Sequence, residues 1–123
     1  MSAAEDLVTE FCGLWANPDS ALITSYFAED AVYHNIPMEP VKGREDIRAF
    51  IEGFLAAFDG IDFQIHRQIA VDGIVMNERT DVLRGAGKEI ALPVMGVFEV
   101  ADGKIAAWRD YFDMGAVNAA FGG

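Results

Sequence analysis

Ile61-Asp62-Phe63-Gln64-Ile65-His66-Arg67-Gln68-Ile69 is the stretch whose pattern decides the fold. Ile61, Phe63, Ile65 and Ile69 alternate with Asp62, Gln64, His66 and Gln68. That is the period of two expected when one face of a strand meets a core and the other meets solvent. Downstream the same regime continues. Ile74 to Arg84, Glu89 to Val100 and Ile105 to Asp113 are expected as three more strands. The short glycine-bearing segments Gly85-Ala86-Gly87-Lys88 and Ala101-Asp102-Gly103-Lys104 between them suit antiparallel hairpins.

Upstream of Gly60 the period is helical. Leu7, Phe11, Leu14 and Trp15 predict a helix from about Ala3 to Ala16, and Asn17-Pro18 supplies the cap and first-turn proline of a second helix reaching about Phe27. Ile47, Phe50, Ile51, Phe54, Leu55 and Phe58 form the apolar stripe of a third, from about Arg44 to Phe58. Between the second and third helices lie a short strand candidate, Ala31 to Asn35, and a proline-bounded loop, Ile36-Pro37-Met38-Glu39-Pro40. The tail from Gly115 to Phe121 reads as a short helix or a lid. Three helices and then a long meander predict one α+β domain over residues 1–123. In it a curved, largely antiparallel (mixed) sheet and its helices form a cone around an apolar pocket.

Composition narrows the partners. Hydrophobic residues make up 52% of the chain, including nine Phe, and that surplus needs a cavity lining, an oligomer interface or both. The net charge of -11, from 20 acidic and 9 basic residues, repels phosphate backbones and anionic lipid, so nucleic acid and membrane surfaces are poor partners. A neutral small molecule is the natural ligand. No stretch is long and apolar enough to span a bilayer, and the start Met1-Ser2-Ala3-Ala4-Glu5-Asp6 lacks the basic residues of a signal peptide. The single cysteine, Cys12, allows no intramolecular disulfide, which suits a cytoplasmic location; within its apolar helix it reads as an inert thiol and not a nucleophile.

Chemistry concentrates on two strands. Val75, Asn77, Arg79, Asp81 and Leu83 share one face of the first; Ala106, Trp108, Asp110 and Phe112 share one face of the last. Asp110 stands between two aromatic residues on the inward face, where an isolated carboxylate is costly, and Arg79 is its natural partner, with Asp81 two residues along. One guanidinium between two carboxylates can hold an extra proton, leaving one carboxyl as general acid and the other as general base. The alternative is an Arg–Asp pair that fixes strand register, with Asp81 exposed. Tyr33 and Asn35, two apart on the short strand, can jointly hold a water, but spacing alone favours a packed tyrosine with its hydroxyl at the surface and a turn-starting asparagine. Neither His34 nor His66 has a Cys, His or carboxylate at ligand spacing, so no metal is expected, and no phosphate loop or nucleophile turn is present.

At these residues the chain resembles the limonene-1,2-epoxide hydrolase family over nearly its whole length. The resemblance lies in Tyr26-Phe27-Ala28-Glu29-Asp30, Tyr33-His34-Asn35, Glu78-Arg79-Thr80-Asp81-Val82-Leu83-Arg84, Gly96-Val97-Phe98, Gly103-Lys104-Ile105 and Trp108-Arg109-Asp110-Tyr111-Phe112-Asp113. It implies a cone-shaped fold of the nuclear-transport-factor-2-like (SnoaL-like) type, a homodimer, no cofactor, and addition of water to a small apolar epoxide. It also implies roles: Asp110 as the base that deprotonates water, Tyr33 and Asn35 as that water's other holders, Asp81 as the acid at the epoxide oxygen, and Arg79 as the bridge between the aspartates. Pocket walls are expected from Leu14, Trp15, Met38, Leu83, Leu92, Val94, Trp108 and Phe112. The same trio would also serve a ketosteroid-isomerase-like or polyketide-cyclase-like enzyme, and the same pocket a non-catalytic binding module.

Overall fold

The structure, a computed structural model, describes residues 2–122, with side chains as far as Ala120. Met1 and Gly123, the ends of the expected domain, lie outside the described residues. The chain opens with α1 (Ala3–Gly13), entered through a reciprocal cap in which Ser2 Oγ accepts from the Glu5 backbone and Glu5 reaches back to the Ser2 nitrogen. A 3₁₀ turn (Leu14–Ala16) follows, then α2 (Ser20–Ser25), capped by the Asp19 carboxylate. Next come β1 (Phe27–Asn35), the two-residue β2 (Val41–Lys42), which sequence periodicity did not reveal, and α3 (Arg44–Leu55). Four long strands complete the meander: β3 (Gly60–Val71), β4 (Ile74–Gly85), β5 (Lys88–Ala101) and β6 (Lys104–Tyr111). The tail is helical, α4 (Met114–Val117) and a π-helical turn (Asn118–Gly122).

The strands form one open, curved six-stranded sheet in the order β2-β1-β6-β5-β4-β3. Every pairing is antiparallel except β1 with β6, which is parallel, so the sheet is mixed. The three long hairpins turn on two residues each, Asp72-Gly73, Ala86-Gly87 and Asp102-Gly103, all with φ between 51° and 80°. This is the turn geometry whose twist matches that of the flanking strands. Pro93 sits inside β5 but beyond Met95, the last β5 residue paired with β6, so its missing N–H breaks no ladder on that side.

The core lies between the concave face of the sheet and α1. Phe11, Trp15, Phe27, Phe98 and Trp108 form a cluster of edge-to-face and stacked rings with centroids 5.2–6.3 Å apart. Two irregularities steer side chains across the sheet. In β3, Ile65 pairs with Arg79 and Arg67 with Glu78, so His66 is an extra residue, a β-bulge. Beyond it the faces of β3 exchange. Gln68 and Ala70 turn inward, while Ile69, expected on the core face with Ile61, Phe63 and Ile65, is 65% exposed. In β6, Ala106 is the extra residue, which leaves both Ile105 and Trp108 fully buried although they are three apart.

Candidate active site

One transverse row of the sheet carries most of the polar groups. Asn35 on β1 pairs with Asp110 on β6, Asp110 with Gly96 on β5, Gly96 with Asn77 on β4, and Asn77 with Gln68 on β3. Gly96, in the middle, has no side chain. The Arg79 guanidinium occupies the space above it: a Cβ on Gly96 would overlap Arg79 Nη1 and come within 2.9 Å of Asn77 Oδ1 and Asp110 Oδ1. Here glycine is required by close approach and not by backbone conformation.

From that seat Arg79 binds three partners. Nε and Nη2 donate to Asp81 Oδ1 and Oδ2 at 2.9 and 2.8 Å, a bidentate pair. Nη2 also donates to Asp110 Oδ2 at 2.8 Å, and Nη1 to Asn77 Oδ1 at 2.9 Å. The Phe63 ring covers the guanidinium with its centroid 4.7 Å from Cζ. Asp110 Oδ1 accepts from Trp108 Nε1 at 2.7 Å, so each oxygen of this carboxylate has a donor. All three charged side chains are buried. Asp81 is buried with its partners, and not exposed as the register-pair reading expected. Burial pushes the Asp81 carboxyl above the usual carboxylate range, against the opposing pull of its hydrogen bonds and charge contact with Arg79. Arg79 stays protonated: the two aspartates outweigh the burial that opposes its charge.

Tyr33 and Asn35 stand beside this group on β1. The tyrosine ring is stacked on Trp108 at 4.3 Å and 7°, and its hydroxyl reaches Asn35 Oδ1 at a long 3.5 Å. Burial pushes the Tyr33 phenol well up, so it remains a donor. Cys12, behind the trio, is pushed up to about 12 by burial, which holds it in the thiol form at neutral pH.

These groups open on a cavity of about 320 Å³. Asp81, Asp110, Tyr33 and Asn35 all line it, whereas Arg79 lies behind the two aspartates. Of the expected walls, Trp15, Met38, Leu83, Leu92, Val94 and Phe112 line the cavity. Leu14 and Trp108 do not. The helix tightens to a 3₁₀ turn at Leu14, which sends Trp15 to the cavity and leaves Leu14 packed against the core. Trp108 is sealed between Tyr33 and Phe98 and acts on the site through its N–H alone. Sequence reasoning missed the wall formed by Phe50, Phe54, Phe58, Ile61 and Phe63, and the cover formed by Met114, Val117 and Asn118. The i, i+4 spacing of the three α3-side phenylalanines was a usable signal.

A family model described as the limonene-1,2-epoxide hydrolase catalytic domain matches residues 5–121. The chain belongs to the limonene-1,2-epoxide hydrolase family. Within it, the chain is similar to epoxide hydrolase EphG of Mycobacterium tuberculosis, 33% identical over 107 residues, which are 87% of this chain and 71% of that protein. Among solved structures it is similar to a limonene-epoxide-hydrolase-like epoxide hydrolase of M. tuberculosis, with a TM-score of 0.83 and 32% identity over 93% of this chain and 85% of that one. A TM-score of 0.89 at 16% identity, over 100% of both chains, relates it to an NTF2-like protein of unknown function from Burkholderia pseudomallei, a likeness of fold alone. The fold expectation, an α+β cone of the nuclear-transport-factor-2-like type, agrees with these neighbours; the sheet is open, and among the described residues the three expected N-terminal α-helices are joined by a fourth, short one in the tail.

Proposed function

We propose that this member of the family hydrolyses a small, largely apolar epoxide to a vicinal diol in one acid–base step, without a covalent intermediate and without a metal. The observation that carries the reading is the shared guanidinium: two buried carboxyls, both facing the cavity, held on one Arg79 nitrogen at 2.8 Å each. In this reading Asp110, Tyr33 and Asn35 hold the water. Asp110 removes a proton from it as its oxygen attacks an epoxide carbon, and Asp81 gives its proton to the departing epoxide oxygen. Proton transfer from Asp110 back to Asp81 restores the starting state. The raised Asp81 carboxyl favours this division of labour, because an acid that keeps its proton in a dry pocket has one to give. Orientation of the water and paired acid–base catalysis supply the rate. The cavity volume lies at the small end of ligand pockets, ~300–1,000 Å³, and its walls are aromatic and aliphatic. That favours a compact cyclic or terpene-like epoxide.

The chain in this reading is one domain over 1–123 that works as a homodimer. Ile69, Val71, Ile74, Met76, Met95 and Tyr111 are all exposed on the outer face of β3 to β6, an apolar surface suited to a second copy of the same chain.

The test is a panel of cyclic and aliphatic epoxides assayed for diol with excess chelator present, beside enolisable ketones as the competing substrate class. Diol from at least one epoxide, with no proton exchange in the ketones, is expected. Exchange in a ketone with no diol anywhere would move the protein to the isomerase-like reading. Loss of diol formation with chelator, restored by a divalent ion, would remove the metal-free mechanism.

A further inference from the structure

A guanidinium buried above a glycine has bare backbone beneath it and no Cβ to stop it turning in its own plane. Arg79 nevertheless has to present Nη2 to two carboxylates at once, and a small rotation would give Nη2 to one and withdraw it from the other. The bidentate hold on Asp81 resists that rotation on one side, and a further acceptor stands at the far corner. Asn77 is completely buried, sits two strands from Asp110 on the same row, and accepts from Nη1 at 2.9 Å. Two strand spacings are roughly 9–10 Å, a gap that the Nη1–Cζ–Nη2 edge and its two acceptors span from Asn77 to Asp110.

Asn77 is itself held. Its Nδ2 donates to Gln68 Oε1 at 3.1 Å, and Gln68 Nε2 donates to Thr9 Oγ1 on α1 at 2.9 Å. Arg79 can only donate, so Asn77 turns its oxygen to it, Nδ2 then takes Gln68 Oε1, and Gln68 Nε2 is left for Thr9. The bulge at His66 makes the arrangement possible, because without the extra residue β3 would set Ile69's face inward and Gln68 outward. We propose that Asn77, braced by Gln68 and Thr9, is the positioning residue of the ionic trio: it holds the Arg79 guanidinium in the one rotation that lets Nη2 bridge Asp81 and Asp110. The inference rests on the reading of those aspartates as acid and base. Asn77 does not line the cavity, so it acts on the reaction through Arg79 alone.

A brace predicts loss in kcat with little change in KM, and rescue by a residue of the same shape that keeps the acceptor. Aspartic acid is that residue. Buried beside Arg79, whose charge Asp110 already balances, the new carboxyl holds its proton, and its carbonyl and hydroxyl then replace both hydrogen bonds of the amide. The experiment measures kcat, KM and melting temperature for the whole protein and for Asn77→Leu, Asn77→Asp, Gln68→Met and Asp110→Asn on one epoxide. Asn77→Leu is expected to lower kcat at least about 10-fold with KM within about threefold, since small misplacements of reacting groups are costly. Asn77→Asp is expected to recover kcat to within about threefold of the parent, and Gln68→Met to fall between the two. The inference is overturned if Asn77→Leu keeps kcat within about twofold of the parent, or if Asn77→Asp is as slow as Asn77→Leu. Should Asn77→Leu not fold, Gln68→Met decides: reduced kcat at an unchanged melting temperature supports the brace, and unchanged kcat overturns it. Parent-like turnover in Asp110→Asn would overturn the acid–base reading and the brace with it, whereas loss there and none in the folded Asn77 and Gln68 variants overturns the brace alone.

Discussion

Asp110 and Asp81 are both carboxyls on Arg79, yet their surroundings differ. Asp110 takes a second donor, Trp108 Nε1, at 2.7 Å, while Asp81 has only the guanidinium against the cost of burial. That difference supports the proposed division, with Asp81 as acid and Asp110 as base. Replacing either by Asn is expected to lower kcat at least ~10²-fold, with the double variant little worse than the single ones, because the two act in one step. Near-normal turnover in one variant would remove that residue from the mechanism. The pH profile carries a sign. A carboxyl pushed up by burial keeps its proton to higher pH, so the acid is present below its pKa and lost as pH rises through it. The alkaline fall in kcat is therefore expected above the usual carboxylate range, and the residual activity of Asp81→Asn is expected to lack that fall. An alkaline fall unchanged in Asp81→Asn would assign it to another group.

At the scale of elements, the site depends on the registers of β1, β3, β4, β5 and β6 agreeing on one row, with Gly96 leaving the hole that Arg79 fills. Gly96→Ala is expected to displace the guanidinium, lowering the melting temperature by a loss of ~1–3 kcal/mol, the usual cost of overpacking, and lowering kcat with it. A variant of parental stability and rate would mean that the space over Gly96 is not needed. Much of this was legible beforehand. Alternation placed Asn77, Arg79 and Asp81 inward on β4 and Asp110 inward on β6, because β4, and β6 beyond its bulge at Ala106, keep a period of two. The bulge at His66 was not legible, since a polar run such as His66-Arg67-Gln68 looks the same whether or not one residue is extra, and Ile69 was placed on the wrong face as a result. An inward aromatic such as Trp108 suggests a lining; that its N–H faces Asp110 depends on a rotamer, which sequence does not carry. The cavity cover at Met114 and Val117 follows from a four-residue helix capped by Asp113, too short to show periodicity.

At the scale of the whole molecule, the 52% hydrophobic content divides between the cavity and the outer face of the sheet. Ile69 and Val71, 65% and 67% exposed, lie with Met76 and Met95 on a surface that water should not keep. Twice the monomer mass is expected by light scattering, and Ile69→Glu with Met76→Glu is expected to give monomers that keep the cavity. A monomeric parent protein would contradict the dimer. In the proposed reaction water itself, and no carboxylate, attacks the epoxide, and cavity, row and trio together would hold that water. Asp110 lies within β6 with both oxygens bound to donors, a poor posture for a nucleophile that must form an ester. The direct test is a single turnover in ¹⁸O-water with enzyme in excess over epoxide. Label in the diol from that first turnover is the predicted result; unlabelled diol, with ¹⁸O appearing in an aspartate side chain, would contradict it.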